Sequence, residues 1–472
     1  MSSILKFCLL AAVLLLSTGC EKYMQRPLQS EQIILSVERS RHLPDAANPS
    51  DLPADSNALD ALPKAAPVDF TLSRAVELMK THSPALKEAR AEYDTAQALA
   101  QVKTPLPNPV FEAGPQYGFG QDIGHLYRLQ PFGSLSFAIP TGQRLKRQDE
   151  LNCALAGMSW VEIQAKHREL YLELRKNYTR LVLGYQRVEK RRQLAESARK
   201  STELSKKLIE AGFATALDSG LIELEQTKLQ AEIFTAEMEL SNVRGDLAQT
   251  LGVHAEHFEK LPAAALPVLP AALPPLADLQ KMLADNHPEL ARLRAKYEIA
   301  ERELHLEIAR QYPDFRFGSA YDHERGERKT TIGLKLGIDL PVFDRNQQAI
   351  ATAKQKREEV RTKYEAAANR ALAALDRAYA NGRLASEKLK LLNTVVLPRA
   401  TTNLDLARKA LEVGQSDSLK FLETERSQRG IVLDVLDTEL TLRSAWTELE
   451  QAVGYPLTAF PNENVSEIPT LK

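Results

Sequence analysis

Apolar residues alternate with small or charged residues between Thr330 and Leu340. The apolar set takes every second position: Ile332, Leu334, Leu336, Ile338 and Leu340. A two-residue period is that of a β-strand, whose successive side chains point to opposite faces. One aliphatic face opposite a face of glycine and charge suits the wall of a membrane barrel, with lipid outside and water inside. A strand of a soluble β-sandwich has the same pattern, so this strand alone leaves both interpretations open.

The residues after this strand predict its end and the start of a helix. Pro341 has no N–H to donate to a ladder, so it ends the strand. Asp344, with Gln347 three residues on, resembles a capping pair at the start of a helix. The segment therefore predicts a sheet joined to a helical region.

The rest of the chain gives the same kinds of element. The polar segment from Glu21 to Pro67 contains several prolines and predicts an extended linker. A helical pattern from about Thr71 to Lys103 is followed by two alternating runs, about 109–118 and 129–139. A helical pattern then extends from about Arg144 to Gly252 and is interrupted at Gly212. This order predicts helix, two strands and two long helices.

The chain contains an internal duplication of that order. Pro84, Tyr93, Pro109 and Gly114 recur 204 positions later, and Gly212, Glu223, Gln249 and Gly252 recur 202 positions later, as Pro288, Tyr297, Pro313, Gly318, Gly414, Glu425, Gln451 and Gly454. The second copy predicts strands at about 314–321 and 330–340, joined by a charged loop around His323. Matched prolines and glycines at junctions indicate two repeats of one unit.

The duplication sets the predicted domain organisation. The segments are a signal peptide at 1–19, a lipidated cysteine and linker at 20–67, the first repeat at 68–256, a Pro/Ala linker at 257–276, the second repeat at 277–456 and a tail at 457–472.

Composition and the N-terminus narrow the class of protein. The 472 residues carry a formal net charge of −1, which gives no attraction for nucleic acid. The apolar run Phe7–Leu16 is too short to span a bilayer and fits a signal peptide. Ser17-Thr18-Gly19-Cys20 is similar to a bacterial lipobox, although Ser17 stands where that motif usually has leucine. We therefore expect either lipidation of Cys20 or plain cleavage nearby.

Four strands are too few for a closed barrel, because the smallest common barrels use eight. Open sheet edges cannot face lipid. A membrane interpretation therefore requires several copies of the chain, each giving four strands to one wall.

From about Thr71 to Gly454 the duplicated plan, with prolines at the strand borders and glycine turns at Gly212 and Gly414, resembles the TolC-like outer membrane factors. The segment Leu340–Gln347 is most similar to the cobalt-zinc-cadmium efflux branch of that family. The resemblance implies a mainly α fold with a four-stranded membrane segment, assembled as a trimer with a twelve-stranded β-barrel and a helical periplasmic tunnel. It also implies that the glycine-turn tips meet a periplasmic adaptor protein, which an inner membrane pump accompanies.

Two sets of site residues follow. Strand alternation turns one set toward the water-filled lumen: Glu112, Gln116, Arg316, Lys335 and Asp339. The glycine turns and nearby charges form the candidate tip and gate: Gly212, Asp218, Gly414, Asp417, Lys420, Glu423 and Glu425. The resemblance implies acidic residues at the positions of Lys420 and Glu423, so Lys420 departs from the family pattern. Ordinary surface ion pairing is the alternative role for these charges.

No constellation for catalysis, metal binding or a cofactor stands out. His254 and His257 lie three residues apart, but no third ligand has a suitable spacing, so a solvated loop is expected there. The function predicted is a passive outer membrane channel for heavy-metal cations, working with an RND-type pump and an adaptor. Two alternatives stay open: a multidrug or type I secretion channel, and a non-pore coiled-coil lipoprotein that spans the envelope.

Overall fold

The computed structural model describes residues 23, 25–42, 71–117, 129–210, 216–260, 266, 268–270, 272–324, 329–413, 415 and 418–458. The chain divides into two compact units, Met1–Ala66 and Pro67–Lys472. No helix in these ranges is both long enough and apolar enough to cross a bilayer.

The described residues of the first unit contain the helix α1 (Ser30–Arg41), where the sequence predicted an extended linker. The prediction was wrong here because the prolines on either side, Pro27 and Pro44, leave an uninterrupted stretch between them. An acidic residue in the first turn and basic residues in the last favour the helix dipole. Arg41 also forms a 3.0 Å ion pair with Glu38 one turn earlier.

In its described residues the second unit is mostly helical and carries one four-stranded antiparallel sheet, which confirms the predicted mainly α fold with a four-stranded segment. In the first repeat the elements are α2 (Leu72–His82), α3 (Pro84–Gln101), β1 (Val110–Tyr117), β2 (Leu129–Ile139), α4 (Arg144–Glu210) and α5 (Ala216–Leu251), followed by a 3₁₀ turn, Ala255–Phe258. In the second they are α6 (Leu276–Asn286), α7 (Pro288–Ala309), β3 (Phe315–Glu324), β4 (Lys329–Ile338), α8 (Gln347–Leu391), a π-helical stretch Leu392–Val396, α9 (Leu397–Glu412) and α10 (Ser418–Val453).

Each repeat begins with two helices where the sequence suggested one. The first break is at Ser83, before Pro84, and the second is at His287, before Pro288. A residue before proline avoids the α conformation, and proline suits the first position of a new helix. The duplicated proline therefore produces the same break twice.

The sheet has the strand order β1-β2-β3-β4, so each neighbouring pair is antiparallel and follows chain order. Strand β3 continues through His323, which pairs with Thr330 and was predicted to lie in a loop. The His323 ring lies 3.0 Å from the Thr330 hydroxyl across the two strands. Among the described strands, β1 and β4 each have one neighbour, which leaves one edge of each unpaired.

Both connections from the sheet into a long helix use left-handed backbone. Gly142 (φ 63°) and Gln143 (φ 59°) precede α4, and Asn346 (φ 60°) precedes α8. The capping pair predicted at Asp344 and Gln347 does not form, because the helix begins at Gln347 itself. Instead the Asp344 carboxylate accepts a 2.8 Å hydrogen bond from the Asn346 N–H and closes a turn.

The helical core is built where the ends of each repeat pack together. In the second repeat, fully or nearly fully buried aliphatics from α6, α8 and α10 form one cluster, including Leu279, Leu283, Leu375, Leu449 and Val453. After the last long helix of each repeat the chain turns at a positive-φ glycine, Gly252 or Gly454. Gly252 packs on the Ser83–Pro84 break and Gly454 packs on the Asn286–His287 break, so both repeats close in the same way.

A buried ion pair ties the second repeat to the first. The Arg175 guanidinium donates to Glu450 at 2.9 and 3.1 Å, with both side chains at most 2% exposed. The same Glu450 carboxylate accepts hydrogen bonds from the Leu457 and Thr458 N–H groups at 2.9 and 3.0 Å. The end of the described chain is therefore fixed against α4.

Candidate channel wall and tip

Strand register places the predicted lumen residues of the strands on one face of the sheet. Glu112 on β1 lies opposite Ser134 on β2, and Lys335 on β4 lies opposite Gly318 on β3. Because residues that pair across strands share a face, Glu112, Gln116, Arg316 and Lys335 all lie on the same side. The alternation seen in single strands therefore adds up to one continuous polar face.

Two of the predicted lumen residues are bonded to each other. The Arg316 guanidinium forms a 2.7 Å ion pair with Asp339, which follows β4, and both side chains are exposed by about 60%. Glu112 accepts a 3.3 Å hydrogen bond from Ser134. Lys335 has no carboxylate within ion-pair distance among the described residues. The polar face thus carries the Arg316–Asp339 pair, the carboxylates of Glu112 and Asp322, and a lysine without an ionic partner among the described residues.

The opposite face of the sheet is apolar and exposed. Leu334 is 92% exposed, Leu336 83% and Ile332 75%. Phe137 and Phe317 stack with ring centroids 5.4 Å apart, directly across β2 and β3. A contiguous apolar surface of this kind marks a membrane or protein interface in a folded protein.

A glycine keeps the middle strands close on the polar side. A Cβ atom at Gly318 would collide with the Leu135 carbonyl oxygen and crowd the Ser136 Cα at 3.1 Å. Only a residue without a side chain fits there. Gly318 is therefore a packing requirement of β3 against β2, whereas a Cβ atom at Gly333 on β4 would meet nothing within 4 Å.

At the opposite end of the long helices, the predicted tip is described in part. Gly212, Gly414 and Asp417 lie outside the described residues, as does the lipidation candidate Cys20. Asp218 lies in α5, and its side chain is not described. Lys420 and Glu423 lie on α10 and are exposed.

Glu425, one of the predicted gate candidates, is buried rather than exposed. It is 4% exposed and lies 3.9 Å from the Arg429 guanidinium, which is 5% exposed. Arg429 and Arg426 also bond to Glu225 on α5, at 2.8 and 3.0 Å. We call Glu225, Glu425, Arg426 and Arg429 the cross-repeat ion cluster, because it joins a helix of each repeat.

Sequence reasoning missed Glu225 and both arginines of this cluster. The spacing of Glu425 and Arg429 by four residues on one helix was a visible signal for a local ion pair. The pairing with Glu225, two hundred residues away in the chain, had no local signal.

The histidine pair after α5 is packed rather than solvated. His257 is 1% exposed, and its ring centroid lies 6.5 Å from that of His254. The expectation of a solvated loop was therefore wrong for His257, because the 3₁₀ turn folds it onto the helices. Within the described ranges, no three His, Cys, Asp or Glu side chains are placed to hold one metal ion.

Comparison with known proteins agrees with this architecture. Residues 279–455 match the family profile described as outer membrane efflux protein. The chain carries an outer membrane efflux protein domain. This domain covers the second repeat, from α6 to the turn after α10.

Similarity to a known protein also extends to the first repeat. The cobalt-zinc-cadmium resistance protein CzcC of Cupriavidus metallidurans is 24% identical over 380 residues, which cover 79% of this chain and 87% of the relative. This relative, with the profile match, confirms the predicted resemblance to the outer membrane factors and to their cobalt-zinc-cadmium branch.

Solved structures share the fold of the efflux protein domain and of the repeat before it. CusC, a transmembrane channel, aligns with a TM-score of 0.66 at 17% identity and covers 82% of this chain and 92% of its own. The outer-membrane channel OprN aligns with a TM-score of 0.68 at 19% identity and covers 85% and 96%. A membrane protein of Pseudomonas aeruginosa aligns with a TM-score of 0.69 at 18% identity and covers 83% and 92%.

Proposed function

We propose that this protein is the outer membrane channel of a tripartite efflux system and a passive conduit from the periplasm to the exterior. The single observation that supports it best is the sheet, which has one exposed apolar face, one polar face and two unpaired edges. A sheet of four strands with free edges is unstable in lipid, whereas a closed barrel satisfies every edge. Three copies would supply twelve strands and close the wall.

In this assembly the apolar face contacts outer membrane lipid, and the polar face with Glu112, Arg316 and Lys335 lines the water-filled lumen. The long helices of the two repeats extend the conduit into the periplasm. Cys20 carries the lipid anchor, after removal of the signal peptide at 1–19, and residues 20–67 link it to the first repeat.

The helical tips, with turns at Gly212 and Gly414, contact a periplasmic adaptor that joins the channel to an RND-type pump. Asp218, Asp417, Lys420 and Glu423 supply charge at the gate. Glu425 acts through the cross-repeat ion cluster, which joins α5 to α10 next to the tip.

The proposed cargo is heavy-metal cations. Its support is the similarity to a cobalt-zinc-cadmium resistance protein across most of both chains. The conduit needs no fixed metal ligands for this role, because the pump selects the cargo and the channel only passes it.

The experiment is a deletion strain tested for growth in zinc, cobalt, cadmium, nickel and copper, and in hydrophobic drugs. We expect sensitivity to one or more of the metals, restored by the wild-type gene, with unchanged drug tolerance. Drug sensitivity with normal metal tolerance would instead assign the channel to multidrug export.

A further inference from the structure

A cavity of about 890 Å³ lies between the two repeats, away from the sheet and the tip. Its lining includes one side of α4, with Glu169, Glu173, Lys176 and Arg180. Its walls are the duplicated helix breaks at Ser83 and His287 and the ends of α5 and α10. The cavity therefore lies where the two repeats present equivalent structures to each other.

Two helices begin at this cavity without a side-chain cap. Ser83 precedes α3 and His287 precedes α7, and neither side chain accepts a hydrogen bond from its own helix. The first turn of a helix leaves N–H groups without helical acceptors and carries partial positive charge. Two such ends at one cavity favour an anionic group.

The Ser83 hydroxyl is an independent sign of a ligand. Ser83 is 1% exposed and lines the cavity, yet its oxygen has no hydrogen-bond partner among the described residues. A serine at this position ordinarily caps its helix, so its free hydroxyl is unexplained by the fold. A buried polar group without a partner costs about 1 to 3 kcal/mol, which a bound acceptor would recover.

The charged side chains of the cavity lining differ in whether they have an ionic partner. Lys176 lines it and has no carboxylate within ion-pair distance in the described part of the chain. Glu169 is held by Arg292 at 2.5 and 3.0 Å, and Asp246 is held by Arg180 at 3.4 Å.

The two remaining carboxylates of the cavity lining, Glu88 and Glu173, are exposed, and we call them the rim carboxylates. The His287 Nδ1 atom is buried without a partner, and burial lowers the pKa of this imidazole, so it is a neutral group here. One lining therefore combines a buried hydroxyl donor and an unpaired lysine with two exposed carboxylates that have no ionic partner among the described residues.

We propose that this cavity binds a small zwitterion, with its oxyanion at the donors and its ammonium group at the rim carboxylates. Ser83, Lys176 and the two helix N-termini hold the oxyanion, and Glu88 and Glu173 hold the ammonium group. A free phosphoethanolamine and the headgroup of an ethanolamine phospholipid share this chemistry.

The test is calorimetric titration of the full-length protein in detergent with four probes: O-phosphoethanolamine, glycerophosphoethanolamine, inorganic phosphate and ethylammonium. We expect at least one of the two zwitterions to bind about tenfold more tightly than phosphate, and ethylammonium not to bind. The tighter of the two zwitterions identifies the source, since the first is a free monoester and the second has the diester of a lipid headgroup.

Variants separate the two ends of the site. Ser83→Ala and Lys176→Met should each weaken zwitterion and phosphate binding about tenfold, whereas Lys190→Met, on α4 outside the cavity, should not. The double change Glu88→Gln and Glu173→Gln should reduce zwitterion affinity to that of phosphate and leave phosphate binding unchanged.

Absence of binding by both zwitterions, or binding that survives Lys176→Met in protein with an unchanged melting midpoint, would overturn the site. Equal affinity for phosphate and both zwitterions would overturn the role of the rim. None of these results bears on metal tolerance, so the site and the proposed channel fail separately.

Discussion

Gly454 lies so close to Asn286 that a Cβ atom on the glycine would be 2.5 Å from the asparagine carbonyl oxygen. Its φ of 75° is also one that residues with a side chain adopt at a cost. Gly454→Ala should therefore destabilise the protein by about 2 to 4 kcal/mol, measured as a lower midpoint of thermal unfolding.

The matched control is Gly430→Ala, on the exposed side of α10. A Cβ atom there would meet nothing within 4 Å, and alanine favours a helix interior by about 1 kcal/mol. We expect this variant to be as stable as wild type or slightly more so. Equal midpoints for the two variants would contradict the close packing at Gly454.

Glu450 is expected to be the carboxylate on which the stability of the second repeat depends most. Glu450→Gln removes the charge that pairs with buried Arg175, and breaking a buried pair costs about 3 to 5 kcal/mol. Arg175→Met with Glu450→Leu should cost less than either single change, because no buried charge is left alone. Unfolding of Glu450→Gln, the two single changes and the double change measures this, with exposed Glu196→Gln as a control that should leave stability unchanged.

His167 predicts a loss of stability in acid. Burial, and then Lys80, Arg90 and Arg168, lower the pKa of its imidazole to about 4. The unfolded chain, with a pKa near 6.5, binds a proton that the folded protein rejects, so stability falls as pH drops below about 6.5.

The loss from His167 at pH 5 should be about 2 kcal/mol, and His167→Gln should reduce the pH dependence by that amount. Melting midpoints from pH 5 to 8 check this. The variant should show the same offset from wild type at pH 7 and pH 8, and a parallel decline of both proteins in acid would refute the assignment.

Two arginine substitutions, one on each face of the sheet, test whether the apolar face contacts lipid. Leu334→Arg places a charge on the face proposed to meet lipid, at about 2 to 4 kcal/mol near the midplane, and should abolish assembled protein in outer membrane fractions. Thr331→Arg lies on the polar face and should assemble normally. Normal assembly of both would favour the envelope lipoprotein without a pore.

The cross-repeat ion cluster should hold the helical tips together. Glu225→Gln leaves Arg426 and Arg429 without their shared carboxylate, so we expect several-fold higher conductance of the reconstituted channel. Glu237 lies on α5, as Glu225 does, and pairs with Arg192 on α4 at the surface, so Glu237→Gln should leave conductance unchanged. Unchanged conductance after Glu225→Gln would contradict a role of the cluster in keeping the tips closed.

The strands and repeats were predictable because their signals are local or repeated. Alternation around Lys335, prolines at strand borders and glycines at matched offsets each appear in a short window of sequence. Helix α1 was missed because the prolines on both sides led to the prediction of a linker, although the stretch between them contains no proline.

The contacts that organise the helices had no such signal. Arg175 and Glu450 are 275 residues apart, and either could have been one more charge on a solvated helix. Pairing of Glu225 with Arg429, and burial of His257, depend on which helix faces lie together. A single sequence contains the residues but not that choice of faces.

The unpaired edges of β1 and β4 have a genetic consequence. In the proposed three-copy barrel every protomer must receive an edge from one neighbour and give one to the other, so a single defective strand opens the ring. With equal expression of a Leu334→Arg copy and a wild-type copy, random mixing leaves only about one trimer in eight intact. The defective allele should then be dominant, and metal tolerance should fall even in cells that keep a functional gene.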